Sequence, residues 1–371
     1  MKKIAQVVTQ SEMGGAQKHV LILSKQLKKI GCNVDIIAAP GGELKTLAEE
    51  NGIRFIPVDT MVRDINPKQD FKTISNLKKI FKKEGYDVVH CHSSKAGILG
   101  RAAAKICGVK KIIYTAHGFV FNEPMSKIKK WIYIIIESIG AKIGTNLIAV
   151  SKKDYNCAVD YKLTKKSKIT YIPNSIEKID ENSLMNKDEM RKSLGIGQDE
   201  FVIGTVSNFY ETKGHKYLIP ALKKLYEEGY KFKTLFAGEG QTMEHMKAIA
   251  KGYNDIEFLG YRSDNYNLMN IFDLFVLPSI KEGMPYVVLE SLSLKKPLLC
   301  TKVGALTDII TDNVNGFIVD PEDTKALYEK LKWILENKSS LQPIALKGKE
   351  FVDENFSIEK FTENILKIYN E

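Results

Sequence analysis

Short apolar runs alternate with longer amphipathic segments along most of the chain. Residues 4–9 and 34–39 have the composition of strands that are buried on both faces of a parallel sheet. Between them, residues 16–29 carry apolar side chains at helical spacing and end before Gly31. The alternation predicts βαβ units, which form a parallel sheet with right-handed crossovers. The same pattern predicts further strands at 54–58, 86–90, 112–114, 147–150 and 168–172, and further helices at 43–50, 72–83 and 94–107.

A second series of the same kind begins at residue 201, after a polar and charge-rich stretch. Two such series predict an α/β protein with two Rossmann-like, doubly wound domains that face a central cleft. The second series predicts strands at 202–206, 234–238, 256–259, 274–277, 298–301 and 317–319, and helices at 216–228, 243–250, 265–271, 285–294, 305–310, 323–337 and 344–370.

These patterns also suggest where the domains begin and end. We expect a first domain over residues 1–172, a linker over 173–198 with one short helix near 187–194, and a second domain over 199–345. The C-terminal helix, residues 346–371, is expected to pack back on the first domain. In open parallel sheets, ligands bind beyond the carboxyl ends of the strands, so the loops at those ends should carry the chemistry.

Cysteine usage and hydropathy indicate a cytoplasmic protein. The five cysteines are scattered, without a C-x-x-C pair or a nearby histidine cluster, so we expect reduced thiols and no disulfide or zinc site. In the first ten residues Gln6 and Thr9 interrupt a short apolar run, which predicts a strand and not a signal peptide. No stretch approaches the roughly 18 apolar residues that a transmembrane helix needs.

The positive charge of the chain lies in its first half. Residues 1–172 contain 30 Lys and Arg against 14 Asp and Glu, a balance of +16, whereas the remainder has 25 against 31, a balance of −6. This asymmetry indicates that the first half faces an anionic partner, either nucleic acid or a membrane surface. No nucleic-acid recognition motif is evident, so we expect no nucleic-acid partner.

One basic segment of this half admits two interpretations. Residues 126–142 combine Lys127, Lys129 and Lys130 with Trp131 and a run of isoleucines. Such a segment can be an amphipathic helix at a membrane interface. It can equally be a core helix preceded by lysines. Together with the basic first half, it favours a first domain that faces the inner surface of the cell membrane.

Candidate chemistry is concentrated in residues 274–294, where a strand, a loop and a helix follow one another. Glu282 lies in the loop with Gly283, Pro285 suits the first turn of the helix, and Glu290 lies in its body. The N–H groups at a helix start attract phosphate, whereas two carboxylates would accept hydrogen bonds from hydroxyls. A ligand with a diphosphate and many hydroxyls is a sugar nucleotide. The residues alone are equally compatible with a helix start that has favourably placed glutamates.

The segment also resembles a known family. Glu282 and Glu290 are separated by seven residues, which is similar to the E-x7-E signature of retaining glycosyltransferases of the GT-B fold, family 4. The resemblance extends over nearly the whole chain. It implies that Glu290 holds the ribose hydroxyls, that Glu282 holds the sugar hydroxyls, and that Gly283, Met284 and Pro285 adjoin the donor diphosphate.

Other loops resemble the family as well. The resemblance implies that Gly14 and Gly15, between the first strand and first helix, lie next to the donor, and that His117, before a glycine, contacts the transferred sugar. Without the family, a lone histidine is more often structural. Gly238 and Arg262 resemble residues near the nucleotide.

The loop that follows the first strand of the second domain departs from the family pattern. Lys213, before Gly214, resembles the family's lysine that neutralises the leaving diphosphate. Five residues earlier the family has an arginine, but this chain has Asn208, which can donate a hydrogen bond without a charge. Either another cation such as Arg262 compensates, or the donor binds more weakly.

These observations predict a retaining glycosyltransferase that uses a nucleotide-diphosphate sugar, expected to be UDP-linked, without a metal or other cofactor. Residues 94–101 and 114–121 resemble enzymes of capsular and exopolysaccharide assembly. That resemblance implies a polyprenyl-diphosphate-linked saccharide as acceptor, reached from the cytoplasmic face of the membrane. A transferase with a soluble small-molecule or protein acceptor, a UDP-sugar 2-epimerase and a non-catalytic sugar-nucleotide-binding protein remain alternatives.

Overall fold

A computed structural model describes residues 1–64, 66–123 and 125–371 of the chain, which fold into two compact units. The first unit comprises Met1–Asn174 together with Ile358–Glu371, and the second comprises Ser175–Ser357. Most of the stretch that the sequence treats as a linker, residues 173–198, therefore belongs to the second unit. Its short helix is present at Lys187–Ser193.

The first unit is built on a parallel sheet of seven strands in the order β3-β2-β1-β4-β5-β6-β7. The strands are β1 (Lys3–Val7), β2 (Asn33–Ala38), β3 (Arg54–Pro57), β4 (Val88–His92), β5 (Lys111–Ala116), β6 (Asn146–Ala149) and β7 (Ile169–Tyr171). The helices that connect them are α1 (Gly15–Lys29), α2 (Leu44–Glu50), α3 (Pro67–Glu84), α4 (Ser94–Ile106), α5 (Lys127–Ile143) and α6 (Lys152–Asp160).

The second unit has a parallel sheet of six strands in the order β10-β9-β8-β11-β12-β13. The strands are β8 (Val202–Val206), β9 (Lys233–Ala237), β10 (Ile256–Gly260), β11 (Leu274–Leu277), β12 (Leu298–Thr301) and β13 (Phe317–Val319). The helices are α7 (Lys187–Ser193), α8 (His215–Glu227), α9 (Met243–Ala250), α10 (Asn265–Asn270), α11 (Tyr286–Ser293), α12 (Leu306–Ile309), α13 (Thr324–Glu336) and α14 (Leu341–Asn355).

Both sheets have the strand order of a doubly wound fold, which confirms the prediction of two Rossmann-like units. Central strands such as β4, β8 and β11 are buried along their whole length, as their apolar composition predicts. In the first sheet the strand order reverses between β1 and β4, and in the second between β8 and β11. At such a reversal the flanking loops turn to opposite faces of the sheet and leave a crevice at the strands' carboxyl ends.

Three elements differ from the predictions. Helix α3, predicted over 72–83, begins at Pro67, where the side chain of Asn66 caps it by accepting from the backbone of Gln69. Helix α6 is not predicted, although Ser151 caps it by accepting a hydrogen bond from the backbone of Asp154 at 3.0 Å. The segment predicted as one helix over 344–370 breaks at Phe356 and Ser357 into α14 and a final helix, α15 (Ile358–Asn370). Phe356 is the C-cap of α14; its side chain is buried, and its carbonyl accepts a hydrogen bond from Ser175.

Helix α15 belongs to the first unit, although it follows the whole second unit in sequence. Its apolar face, which includes Phe361, Ile365 and Tyr369, is buried. Among the described residues, no helix combines the length and apolar character that crossing a bilayer requires.

Candidate functional site

In the second unit, the loops after β8 and β11 pack against each other at the reversal of strand order. The backbone N–H of Ile280 donates to the carbonyl of Thr212 at 2.8 Å. Gly214 has a φ of 70°, and a Cβ at this position would lie 1.9 Å from the carbonyl oxygen of Pro278. Only glycine allows so close an approach of the two loops.

This approach brings Lys213 and Glu282 together. Lys213 Nζ lies 2.6 Å from Glu282 Oε1, and the two side chains are 22% and 9% exposed. The hydroxyl of Ser279 donates to the same oxygen at 2.6 Å. Because both bonds end on Oε1, the carboxylate is held in one orientation, and its second oxygen can accept from a hydroxyl of a ligand.

A second close approach fixes the loop between Glu282 and helix α11. Gly304 has a φ of 53°, and a Cβ there would lie 2.1 Å from the carbonyl oxygen of Glu282. The next residue, Ala305, donates its backbone N–H to the carbonyl of Gly283 at 2.8 Å. Helix α11 then begins after Pro285, and its aligned peptide dipoles make this end attractive to an anion.

Glu290 lies one turn inside α11 and is 2% exposed. The hydroxyl of Tyr266, in α10, lies 3.5 Å from Glu290 Oε1, at the long end of hydrogen bonding. Met284 is also buried, whereas Glu282 is partly exposed.

The loops after β9 and β10 complete this edge of the second sheet. Gly238 has a φ of 137°, and a Cβ there would lie 2.0 Å from the carbonyl oxygen of Ser207. Asn208 is exposed. The guanidinium of Arg262 forms two hydrogen bonds with Asp264, at 2.8 and 2.6 Å. Arg262 is therefore neutralised within its own loop, which weakens the idea that it replaces the arginine missing at Asn208.

The sequence analysis does not identify His215, at the start of α8. Its ring is buried, lies 4.4 Å from that of Phe209 between centroids, and its Nε2 is 2.9 Å from Ser207 Oγ. Burial, with a smaller effect of Lys213, lowers the pKa of His215 to about 3. The neutral ring thus anchors the loop that carries Lys213.

In the first unit, the glycine pair forms the start of the first helix. Gly14 is the N-cap of α1 in an extended conformation, and Gly15 is its exposed first residue. A Cβ on Gly15 would have no atom of the described residues within 4 Å. The backbone here is therefore accessible to a ligand.

His117 follows β5 at the same edge of the first sheet and is partly exposed. Its Nε2 lies 3.2 Å from Nδ1 of His92, the last residue of β4. His92 Nε2 lies 2.7 Å from Gln6 Oε1. Because an amide oxygen only accepts, His92 is protonated on Nε2, and its Nδ1 accepts a hydrogen bond from His117.

The hydrogen-bonded chain continues into the core of the unit. Gln6 donates to the hydroxyl of Tyr369 at 3.0 Å, and that hydroxyl lies 2.7 Å from His90 Nδ1. His90 Nε2 lies 2.7 Å from Thr115 Oγ1. The chain thus links helix α15 to His117 through side chains of β1 and β4, and its amide oxygen on Gln6 fixes the tautomer of His92.

Burial keeps these histidines neutral. It lowers the pKa of His90, His92 and His117 well below the usual range, and neighbouring histidines lower it further. His19, in α1, is also buried, and its pKa is lowered to about 4 although Asn174, 2.9 Å from its Nδ1, opposes the shift.

The structure places the sequence-derived site residues at the sheet edges of their two units. In the second unit it brings Lys213 and Glu282 into contact, and in the first it connects His117 to a buried polar chain. Sequence reasoning did not identify His19 and His92, because an isolated histidine inside a helix or strand has no local signature.

Two family models match the chain. The model described as Glycosyltransferase Family 4 matches residues 13–178, and the one described as Glycosyl transferases group 1 matches residues 186–351. Among curated proteins, the chain is 29% identical to UDP-Gal:alpha-D-GlcNAc-diphosphoundecaprenol alpha-1,3-galactosyltransferase of Escherichia coli, over 99% of this chain and 96% of that protein. It is also 29% identical to the capsular polysaccharide biosynthesis glycosyltransferase CapM of Staphylococcus aureus, over 93% and 91%.

Solved structures agree on the fold. A glycosyltransferase from Rickettsia africae ESF-5 superposes with a TM-score of 0.81 at 25% identity, covering 99% of this chain and 97% of that one. Alr3699/HepE of Anabaena, in complex with UDP and glucose, has a TM-score of 0.86 at 19% identity and covers all of both chains. With two family models that together span nearly its whole length, the chain belongs to the family 4, group 1 glycosyltransferases and is an enzyme of the GT-B fold.

Proposed function

We propose that this glycosyltransferase is a retaining enzyme that moves a sugar from a UDP-sugar to a polyprenyl-diphosphate-linked saccharide in capsular or exopolysaccharide biosynthesis. The observation that carries the proposal is the pairing of Lys213 with Glu282 at the strand-order reversal of the second unit. A cation, an oriented carboxylate and a helix start meet there, and a sugar diphosphate needs all three.

In this proposal Lys213 and the first turn of α11 bind the diphosphate. Their charge and dipoles stabilise the negative charge that develops on the leaving phosphate when the bond to the sugar breaks. Glu282 and Glu290 bind hydroxyls, Glu282 those of the sugar and Glu290 those of the ribose. Neither a metal nor another cofactor takes part, because lysine and backbone N–H groups supply the positive charge.

In this proposal His117 contacts the transferred sugar, as the family resemblance implies. The chain through His92 and Gln6 makes its Nε2 a donor, so Nδ1 of the neutral ring is an acceptor for a sugar hydroxyl. The open backbone at Gly15 is suited to a close contact with donor or acceptor.

The lipid-linked acceptor is supported by the surface of helix α5. Five large apolar side chains of this helix are exposed, at spacings of three, one, three and four residues that place them on one face: Ile128, Trp131, Ile132, Ile135 and Ile139. The exposed Lys127, Lys129 and Lys142 lie on the same helix. An apolar face with lysines suits an anionic membrane surface, as the interfacial interpretation of this segment predicts.

The names of relatives point to the same acceptor class. The E. coli relative is named for a diphosphoundecaprenol-linked GlcNAc acceptor, and the S. aureus relative for capsular polysaccharide biosynthesis. An acceptor of this kind lies at a membrane, so the proposal includes a peripheral position on its cytoplasmic face.

A panel of UDP- and GDP-sugars tests the proposal, with nucleotide release measured in the presence and absence of polyprenyl-diphosphate-GlcNAc. We expect a UDP-sugar to be consumed, the product to keep the anomeric configuration of the donor, and turnover to be lost in Glu282→Ala. Glu329→Ala is the matched control, because that carboxylate is 61% exposed on α13. Epimerised donor without acceptor, transfer only to soluble acceptors, or binding without turnover would each contradict the proposal.

A further inference from the structure

Three histidines converge at one edge of the first unit, although they come from three separate segments. His19 lies in α1, His92 ends β4, and His117 follows β5. One ring nitrogen from each can be chosen so that all three lie within 4.8 Å of one another. We propose that these side chains form a binding site for a divalent transition-metal ion, with Zn²⁺ as the test ion, and that the bound ion removes the hydrogen-bond acceptor that His117 offers to the sugar.

The donor set has the chemistry of such a site. Neutral imidazole nitrogens are common ligands of Zn²⁺ and also bind Cu²⁺ and Ni²⁺. At pH 7, which is above the ordinary imidazole pKa of about 6.5, most histidine rings are neutral and have one nitrogen free of a proton that can bind an ion. Three histidines with one position open to solvent is a recognised zinc arrangement.

In metal-binding histidines, the ring nitrogen that does not bind the ion usually makes a hydrogen bond to another protein group. Two of the three rings already have such a contact. His92 donates from Nε2 to Gln6, at 2.7 Å, which directs its Nδ1 toward His117. The Nδ1 of His19 lies 2.9 Å from the side-chain oxygen of Asn174, which directs its Nε2 away from that amide. Such second partners orient the ring and raise the affinity for metal.

The three ring nitrogens must move somewhat closer together to bind one ion. Zn–N bonds of about 2.0–2.1 Å in a tetrahedron place ligand nitrogens roughly 3.3 Å apart. His92 Nδ1 and His117 Nε2 are already 3.2 Å apart. His117 is partly exposed and lies in a loop, so its ring can move toward His19, and solvent can carry its proton from Nε2 to Nδ1.

The ion would then change the sugar contact, since a ring that binds the ion through Nε2 carries its proton on Nδ1, the nitrogen that the proposed function uses as the acceptor for a sugar hydroxyl. This consequence depends on the proposed function of His117. The site itself does not, because metal binding is measured on the protein without substrates.

The experiment uses the full chain without a polyhistidine tag. Zn²⁺ is titrated by calorimetry into wild type, His19→Gln, His92→Gln and His245→Gln, the last being an exposed histidine of the second unit. We expect one Zn²⁺ per wild-type chain, the same in His245→Gln, and affinity at least tenfold lower in the other two variants. Asn174→Ala should weaken binding by about 10- to 100-fold, the usual effect of losing an outer partner.

A measurement on the wild type alone covers the case in which the histidine variants do not fold. Bound Co²⁺ should give the intense visible absorption of a four-coordinate ion, and adding Zn²⁺ should remove it. Zn²⁺ should also slow UDP-sugar turnover in the wild type. The inference is overturned if the wild type binds no stoichiometric Zn²⁺ or if its Co²⁺ spectrum is that of a six-coordinate ion. It is also overturned if folded His19→Gln and His92→Gln bind Zn²⁺ as tightly as wild type, or if UDP-sugar turnover is unchanged when the site is occupied.

Discussion

The hydroxyl of Tyr369 lies 2.7 Å from Nδ1 of His90, although 279 positions separate the two residues in the chain. The same hydroxyl accepts a hydrogen bond from Gln6, which in turn receives one from His92. A residue of the last helix therefore helps to hold the ring of His92, and through it that of His117, at the edge of the first sheet.

Replacing this phenol tests the chain directly. Tyr369→Phe leaves the buried His90 and Gln6 without their shared partner, so we expect a loss of about 1–3 kcal/mol in the free energy of unfolding. We also expect lower kcat, because His117 loses its fixed orientation. Chemical denaturation and UDP-sugar turnover measure the two effects. Tyr328→Phe, which removes a surface hydrogen bond to Glu228, should destabilise the protein less than Tyr369→Phe, because water can replace the lost partner.

Removing the cation beside Glu282 tests its role in binding the diphosphate. We expect Lys213→Met to lower kcat/KM for the sugar nucleotide by about 10²–10³-fold, the usual effect of losing one group that stabilises developing charge. Lys216→Met is the control, because Lys216 pairs with Glu211 on the surface one turn along. UDP binding by calorimetry should weaken only in Lys213→Met, and equal UDP affinity in the two variants would contradict the assignment.

The close approach at Gly304 gives a prediction that separates the cost of backbone strain from the cost of a steric collision. Gly304 and Gly229 both have a positive φ, 53° and 88°. A Cβ at Gly229 would have no atom of the described chain within 4 Å, whereas at Gly304 it would collide with the carbonyl of Glu282. Replacing either glycine by alanine should lower the free energy of unfolding by roughly 1 kcal/mol, because alanine is strained at a positive φ. Gly304→Ala should cost about 1–3 kcal/mol more and reduce turnover, since the loop of Glu282 must move. Thermal unfolding measures the loss of stability, and UDP release measures turnover. An equal loss of stability in Gly304→Ala and Gly229→Ala would contradict the predicted collision.

The buried histidines predict acid sensitivity. In the folded state burial lowers the pKa of His19 to about 4, against about 6.5 in the unfolded chain. Between these values the unfolded state binds more protons, so stability is lost as the pH falls from about 6.5 toward 4. The slope is up to about 1.4 kcal/mol per pH unit for each such histidine.

Denaturant titrations at pH 7, 6 and 5 measure that slope. A folded His19→Gln variant should show a shallower dependence on pH than wild type, whereas His245→Gln, on the surface of the second unit, should match wild type. A pH dependence that stays the same in all three proteins would show that His19 does not contribute.

The exposed face of α5 predicts binding to anionic lipid. We expect wild-type protein to co-sediment with phosphatidylglycerol vesicles at low salt and less so as ionic strength rises, because the lysines contribute by electrostatic attraction. Replacing both Trp131 and Ile135 by serine should lower the partition coefficient about tenfold or more, since their apolar area no longer enters the interface. Phe71→Ser is the control, because that side chain is 77% exposed on α3. An equal loss in both proteins would contradict docking through α5.

The strand and helix pattern was predictable because it depends on local composition. The alternation of apolar runs with amphipathic segments is sufficient to place the strands and most of the helices of both sheets. Helix α6 is an omission that Ser151 and Asp154 could have prevented, since a serine followed three residues later by an acid is a helix-start signal. The break at Phe356 was not predictable, because it depends on what that side chain packs against.

Site residues were predictable where a motif carries them, and their contacts were not. Lys213 and Glu282 each lie in a family motif, but their ion pair joins positions 69 apart. The exposed apolar face of α5 could not be distinguished from a core helix, because a run of isoleucines has the same sequence pattern whether it is covered or exposed. His19 and His92 are apposed to His117 only by the fold of the sheet.

The return of α15 to the first unit has a consequence for synthesis of the protein. As the chain leaves the ribosome, residues 1–174 emerge before the second unit, but their partner helix is translated only after the whole second unit. Until that helix emerges, the place of Tyr369 beside Gln6 and His90 is unfilled, and the core of the first unit is incomplete. A premature stop after residue 357 would therefore destabilise the first unit, although all of residues 1–174 would be present.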